Sequence, residues 1–248
     1  MKTTVLIFGI FILVSAAHSQ VLFTDNFNGN SVDTSKWTVS LPYNDSSVTE
    51  TNGYLQVENR GRIASVASFS GDYSVSGSLM LSNNQFSNSK IVLRTNGGSV
   101  GAAEMPGVAV QFQVRQDDAI QDQLSIFTIG APSDQTVSTN LTTPLNLDTW
   151  YDFTITDNGN LVQLFFNDSS TPTLGLETDW SAGGMIGFYN REGDDAGSSI
   201  SNDGIGRLDS ITVTAIPEPT SYSMFVGLLA LGSVIVIKRT RCGRVSGG

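Results

Sequence analysis

The chain has 248 residues, a formal charge of −10 at pH 7, one histidine and one cysteine. His18 and Cys242 stand near its two ends, so residues 20–215 hold neither; Ser–His and Cys–His catalysis, His/Cys zinc sites and disulfides are excluded there. That stretch carries 8 basic and 22 acidic side chains, formally −14, which argues against a nucleic-acid partner because phosphate contacts need cations in numbers.

The first element is a leader. Lys2, an apolar core over 5–14 and the small residues after it make the tripartite pattern of a secretory signal peptide over 1–19, with cleavage expected after Ser19.

From residue 21 onward the dominant period is two. Tyr73, Val75, Leu79 and Leu81 alternate with polar or small neighbours in 72–81, and Val108, Val110, Phe112 and Val114 with Gln111, Gln113 and Arg115 in 108–115. Tyr151, Phe153 and Ile155 alternate with Asp152, Thr154 and Thr156 in 150–156. Such alternation marks strands buried on one side and wet on the other. Further strands are predicted at 21–25, 54–58, 62–67, 90–95, 123–129, 160–166, 184–190 and 207–214. Asn158-Gly159 marks a hairpin turn within 156–160. The stretches 82–89, 96–106 and 131–149 read as loops. No helical period is sustained. A dozen short strands with turn signals predict an all-β fold, a two-sheet antiparallel jelly-roll sandwich, over 20–215.

The last element is apolar again. The uncharged run 222–237 is short for a membrane span, but with Ser221 and the snorkelling Lys238 and Arg239 it predicts one transmembrane helix over 221–237. Lys238, Arg239, Arg241 and Arg244 place the C-terminus in the cytoplasm and the 20–215 domain outside. Pro217, Glu218 and Pro219 force an extended segment before the span, accessible to a membrane-embedded protease.

Two resemblances follow from quoted stretches. "FTDNFNGNSVDTSKWTV" (23–39), "LDTWYDFTITDNGNLVQLFFND" (147–168), "GGMIGFYNREG" (183–193) and "GRLDSITVT" (206–214) resemble concanavalin A-like lectin/glucanase and laminin G-like jelly rolls, with Trp37 packed beneath the first strand. The segment 216–248, with Pro-Glu-Pro, a span and a basic end, resembles the PEP-CTERM sorting signal of Gram-negative bacteria; its trailer after Arg241 is longer than usual. That resemblance implies an exosortase-type protease as partner, and an exported protein of the cell envelope or matrix.

The lectin/glucanase resemblance implies three candidate chemistries. A retaining glucanase needs paired carboxylates, and the hydrolase pattern Glu-x-Asp-x-Glu is absent. Glu177 and Asp179 begin such a run without closing it, and read otherwise as solvated loop acids. Non-catalytic binding of extracellular polysaccharide would use Tyr43, Trp180, Tyr189 and Arg191, an aromatic and planar-polar set outside the obvious core pattern; Trp37 and Trp150 read as core or strand-end packing. A structural Ca²⁺, the one cofactor considered, would take Asp25 and Asp209 from the terminal strands, or Asp194, Asp195, Asn202 and Asp203 from an acidic loop. The expected function is carbohydrate binding without catalysis, with a glucanase carrying an atypical carboxylate pair, or a purely structural envelope protein, as alternatives.

Overall fold

The computed structural model describes residues 19–217, apart from 52, 83–85, 101–103, 116–121 and 193–204. In chain order the strands are β1 (Val21–Asp25), β2 (Trp37–Ser40), β3 (Ser47–Thr51), β4 (Tyr54–Glu58), β5 (Arg62–Ser65), β6 (Tyr73–Ser82), β7 (Phe86–Thr95) and β8 (Gly107–Arg115). They continue with β9 (Gln123–Ile129), β10 (Thr136–Asn140), β11 (Trp150–Asp157), β12 (Leu161–Phe166), β13 (Leu174–Glu177), β14 (Met185–Glu192) and β15 (Ile205–Ala215). An eight-stranded sheet runs β13-β12-β11-β6-β15-β4-β3, with β1 added on β15, and a seven-stranded sheet runs β10-β9-β8-β7-β14-β5-β2. All strand pairings are antiparallel. The architecture is the expected all-β two-sheet sandwich. Residues Gln20–Ile216 form one compact unit.

The alternating apolar residues meet between the sheets. Phe112 of β8 packs its ring 5.8 Å from both Phe153 of β11 and Phe166 of β12, joining one sheet to the other. Leu79, Leu81, Val110, Ile155, Phe188 and Leu208 are all but solvent-free in the same core. Each such side chain contributes about 1.5–3 kcal/mol by leaving water. Trp37 is buried under β1, its ring edge-on to Phe23 at 5.1 Å, as expected. Trp150, the other tryptophan read as core or strand-end packing, stands at a strand end: it begins β11 on the outward face of the eight-stranded sheet, 39% exposed.

The terminal strands do lie side by side. Residues Ile205 to Leu208 of β15 pair with β4, and Ile211 to Thr214 pair with β1. Between Leu208 and Ser210 the ladder to β6 slips by one residue, leaving Asp209 as the extra residue of a bulge. Gly77 of β6 makes room for it, because a Cβ there would sit 2.1 Å from the Ser210 carbonyl oxygen.

Four strands were not expected: β2, β3, β10 and β13. They are four or five residues long, and β3 and β10 are Ser/Thr-rich with little burial, so their two-residue period carries almost no apolar signal. β10 falls inside the stretch 131–149, and β7 begins inside 82–89, both expected as loops. No helix among the described residues is long and apolar enough to cross a membrane. The predicted span 221–237 and nearly all of the leader lie outside the described residues, as do Glu218, Pro219, Lys238, Arg239 and Arg241. Pro217 is exposed just beyond β15.

Candidate functional site

Core packing decides what the other face of the seven-stranded sheet presents. With Val108, Val110, Phe112 and Val114 turned inward, β8 must present Ala109, Gln111 and Gln113 outward. The register then carries one polar row across six strands. Gln111 lies beside Ser125 of β9 and Lys90 of β7. Lys90 lies beside Tyr189 of β14, which lies beside Arg62 of β5, which lies beside Ser40 of β2. A second row holds Gln123, Gln113, Asn88 and the register position of Arg191.

The row is organised. The Lys90 ammonium stands 4.8 Å from the Tyr189 ring centre and 5.9 Å from that of Phe127, a cation against two aromatic faces. Gln111 Nε2 donates to Gln113 Oε1 at 2.9 Å. Burial pulls the Arg62 guanidinium below its ordinary pKa, with the nearby Tyr189 and Tyr43 opposing the shift. At the margin Tyr43 is 42% exposed. Its hydroxyl accepts from Arg60 Nη1 at 3.1 Å, and the Arg60 guanidinium lies 5.1 Å above its ring. Gly187 of β14 has no Cβ to keep Met105 off this face; one would meet the Met105 sulfur at 2.7 Å.

Of the four expected glycan ligands, Tyr189 and the register position of Arg191 fall on this face, and Tyr43 and Tyr189 both lie near enough to Arg62 to bias its charge. Phe188 turns into the core and Tyr189 outward, but Tyr189 is only 1% exposed, a floor rather than an open platform. Trp180 is elsewhere. It packs half-buried against the core, its carbonyl accepting from Arg94 Nη1 at 3.1 Å. The sequence reading missed Lys90, Gln111 and Gln113 because polar residues on alternating strands read simply as a wet face.

A second site lies where β13 ends. Glu177 and Asp179 are exposed and line an open cleft of about 450 Å³ together with Asp72, Asn158, Asn160, Leu161 and Thr178. Asp72 was not anticipated, since it comes from the loop before β6. A smaller hollow of about 210 Å³ also borders Asp179 and reaches Tyr73, Arg94 and Asp157. The Tyr73 phenol is held far above its usual pKa, by burial first and then by the charge of Asp157.

Of the expected calcium ligands, Asp25 and Asp209 are among the described residues. Asp25 is buried, and its carboxylate accepts from Trp37 Nε1 at 2.6 Å and the Phe27 amide at 3.2 Å, with Lys36 Nζ at 3.3 Å. Asp209 is exposed on its bulge, and Asp25 pairs in register with Ile211 instead. Asp194, Asp195 and Asp203 lie outside the described residues. Among the described residues no group of three His, Cys, Asp or Glu side chains is placed to hold a metal ion.

No protein-family model matches the chain, and no curated protein matches it. Solved structures do match in fold. A glycosyl hydrolase family protein from Mycobacterium fortuitum aligns with a TM-score of 0.54 at 14% identity, over 78% of this chain and 99% of that one. The catalytic domain of an endo-1,3-beta-glucanase (laminarinase) from Thermotoga petrophila aligns with a TM-score of 0.57 at 13% identity, over 80% and 98%. A LamA variant from Zobellia galactanivorans, solved with laminaritriose and laminaritetraose, aligns with a TM-score of 0.55 at 14% identity, over 78% and 98%. The fold is the two-sheet jelly roll that these structures share. At these identities the likeness extends to the fold and not to the residues that act.

Proposed function

We propose that this is an exported protein whose sandwich engages extracellular polysaccharide without cleaving it. One observation carries the reading: the chemistry of the outward face of the seven-stranded sheet. Retaining glycoside hydrolysis needs two carboxyl groups about 5–5.5 Å apart. On a strand these would occupy alternate positions, and β8 presents Ala109, Gln111 and Gln113 at that spacing. The neighbouring register positions add Asn88, Lys90, Gln123, Ser125, Tyr189 and Arg62. Among the described residues these rows hold amides, hydroxyls and cations, and no carboxylate. Such groups hydrogen-bond sugar hydroxyls, but amides neither protonate a leaving oxygen nor attack an anomeric carbon. Gln111, Gln113, Asn88, Lys90, Ser125, Arg62 and Tyr189 are each less than a tenth exposed, so they form the floor of the face and contact with a sugar chain begins at its margin. Tyr43, exposed at the margin, offers an aromatic face for a sugar ring.

A second reading is hydrolysis of the glucanase type. The fold likeness to glycoside hydrolases favours it over pure binding, and its groups would be Glu177 and Asp179, which share one cleft with Asp72. The leader, the Pro217-Glu218-Pro219 triplet, the apolar run and the basic end support export to a bacterial envelope and processing by an exosortase-type protease.

The test is retention on insoluble β-1,3-glucan, assayed together with release of reducing sugar. Retention without release, weakened about tenfold by Tyr43→Ala, is expected. Sugar release abolished by Glu177→Gln or Asp179→Asn would establish the hydrolase instead. Neither retention nor release on a panel of polysaccharides would leave a structural envelope protein. The intact mass of protein from its native envelope tests the sorting: loss at both ends is expected, and a retained tail makes it a plain membrane anchor.

A further inference from the structure

The outward face of the opposite, eight-stranded sheet carries an aromatic platform that the reading above does not use. The register sets Trp150 of β11 beside Met80 of β6, Met80 beside Arg207 of β15, and Arg207 beside Gln56 of β4. All four alternate with core residues, so all four face out. Trp150 stands in register beside the buried Met80, and its ring lies 6.3 Å from that of Tyr54 at an interplanar angle of 57°. The Arg207 guanidinium lies 5.2 Å above the Tyr54 ring on that ring's side of the platform.

The polar groups around these rings are already held in place. Arg207 Nε donates to Gln56 Oε1 at 2.7 Å, and its Nη1 donates to Ser82 Oγ at 2.9 Å. Gln56 Nε2 donates to Glu58 Oε1 at 2.6 Å, and Ser82 Oγ donates to Asp148 Oδ1 at 2.5 Å. The Asp148 side chain is 69% exposed and stands 3.9 Å from Arg207. Burial alone does not explain this arrangement. A tryptophan serving only to cover Met80 would not need an exposed carboxylate and a fixed guanidinium–amide chain beside it.

We infer that Trp150, Tyr54, Arg207 and Asp148 form a second glycan-binding site, specific for a neutral hexopyranosyl chain. An indole left 39% exposed offers the flat apolar surface on which the C–H face of a pyranose stacks, and the planar groups beside it match vicinal hydroxyls. Charge selects the neutral sugar. One cation, Arg207, faces two carboxylates, Asp148 and Glu58, so an acidic sugar meets net repulsion. This site stands whether or not the face of the seven-stranded sheet binds. With both occupied, one molecule would bridge two polysaccharide chains, because the faces belong to opposite sheets.

The experiment is titration of the protein, followed by intrinsic tryptophan fluorescence and by calorimetry, with laminaritetraose, cellotetraose, mannotetraose and the anionic tetragalacturonate. Trp37 is buried and Trp180 half-buried, so a solvent-sensitive signal reports mainly on Trp150. The expected result is saturable binding of at least one neutral tetrasaccharide. Tyr54→Ala and Arg207→Gln should weaken it about tenfold or more, and Trp150→Phe, which keeps a flat ring but removes the fluorescent reporter and is therefore titrated by calorimetry, only about threefold. Binding should survive Tyr43→Ala, which separates this site from the one on the other sheet. Three results overturn the proposal: no saturable binding of any neutral sugar, undiminished affinity in both Tyr54→Ala and Arg207→Gln, or equal affinity for tetragalacturonate.

Discussion

Arg94 and Asp157 clamp the two sheets together: Nε reaches Oδ2 at 2.8 Å and Nη2 reaches Oδ1 at 2.5 Å, with both side chains nearly solvent-free. Arg94 is the penultimate residue of β7 in the seven-stranded sheet and Asp157 ends β11 in the eight-stranded one. The third guanidinium nitrogen donates to the carbonyls of Thr178 and Trp180 at 3.0 and 3.1 Å, so the same cation fixes the loop that carries Asp179. Burial works against the charge on Arg94, but the hydrogen bonds and charge of Asp157 outweigh it and hold the guanidinium above its ordinary pKa.

Removing one partner strands the other. Arg94→Met is expected to destabilise the domain by about 3–5 kcal/mol, because Asp157 would remain buried and unpaired. Arg94→Met combined with Asp157→Leu should recover most of that loss. Urea denaturation of the three proteins measures both; equal stability of the single and double variants would contradict the clamp.

Alkali should weaken the fold through Tyr73. Its phenol is neutral in the folded state at a pH where the free phenol ionises, since its pKa is raised from 10.0. A raised folded pKa gives a contribution complete below the unfolded value and lost as pH climbs above it. Stability is therefore expected to fall above about pH 10. Tyr73→Phe should flatten that decline when melting temperature is followed across the range.

Asp25 is a structural acceptor. Asp25→Ala leaves the Trp37 indole N–H and the Phe27 amide without their partner in a buried site, at about 1–3 kcal/mol for each. The expected loss is the same with EDTA as with added calcium. A loss confined to calcium-loaded protein would return Asp25 to the metal role the terminal strands suggested.

Gly77 tolerates no side chain. A methyl group there would overlap the Ser210 carbonyl, which is backbone and cannot rotate away. Gly77→Ala is expected to cost about 2 kcal/mol or more, against well under about 1 kcal/mol for Gly175→Ala on the exposed β13, where the nearest side-chain atoms would lie at an ordinary 3.6 Å. Paired chemical denaturation curves decide between them.

Much of the fold is legible as text. Residues 108–115 and 150–156 alternate because one face of each strand is dry, and 123–129 matches β9 to the residue. The Asn158-Gly159 turn is legible for a local reason: Gly159 adopts a φ of +85°, and the Asn158 side chain caps the Asn160 and Leu161 amides. By contrast "SVTET" and "TVSTN" form strands only because neighbouring strands leave edges to pair with. The candidate sites were legible in part. Tyr189 and the register position of Arg191 fall on one face, Trp180 does not, and Trp150, read as core or strand-end packing, begins β11 with 39% of its surface still exposed.

Composition and period alone determined the class of this protein. With no histidine or cysteine in the body and a two-residue period from end to end, a disulfide-free β-sandwich was the available answer. Only the tertiary structure decided which residues meet. Side-chain period says that Gln111, Lys90, Tyr189 and Arg62 point away from a core, but not that they stand in one row, because strands far apart in the chain are brought into register by packing on their other face. The same holds for Trp150 and Arg207, which are separated by 57 positions in the chain and share a surface only because β6 lies between their strands.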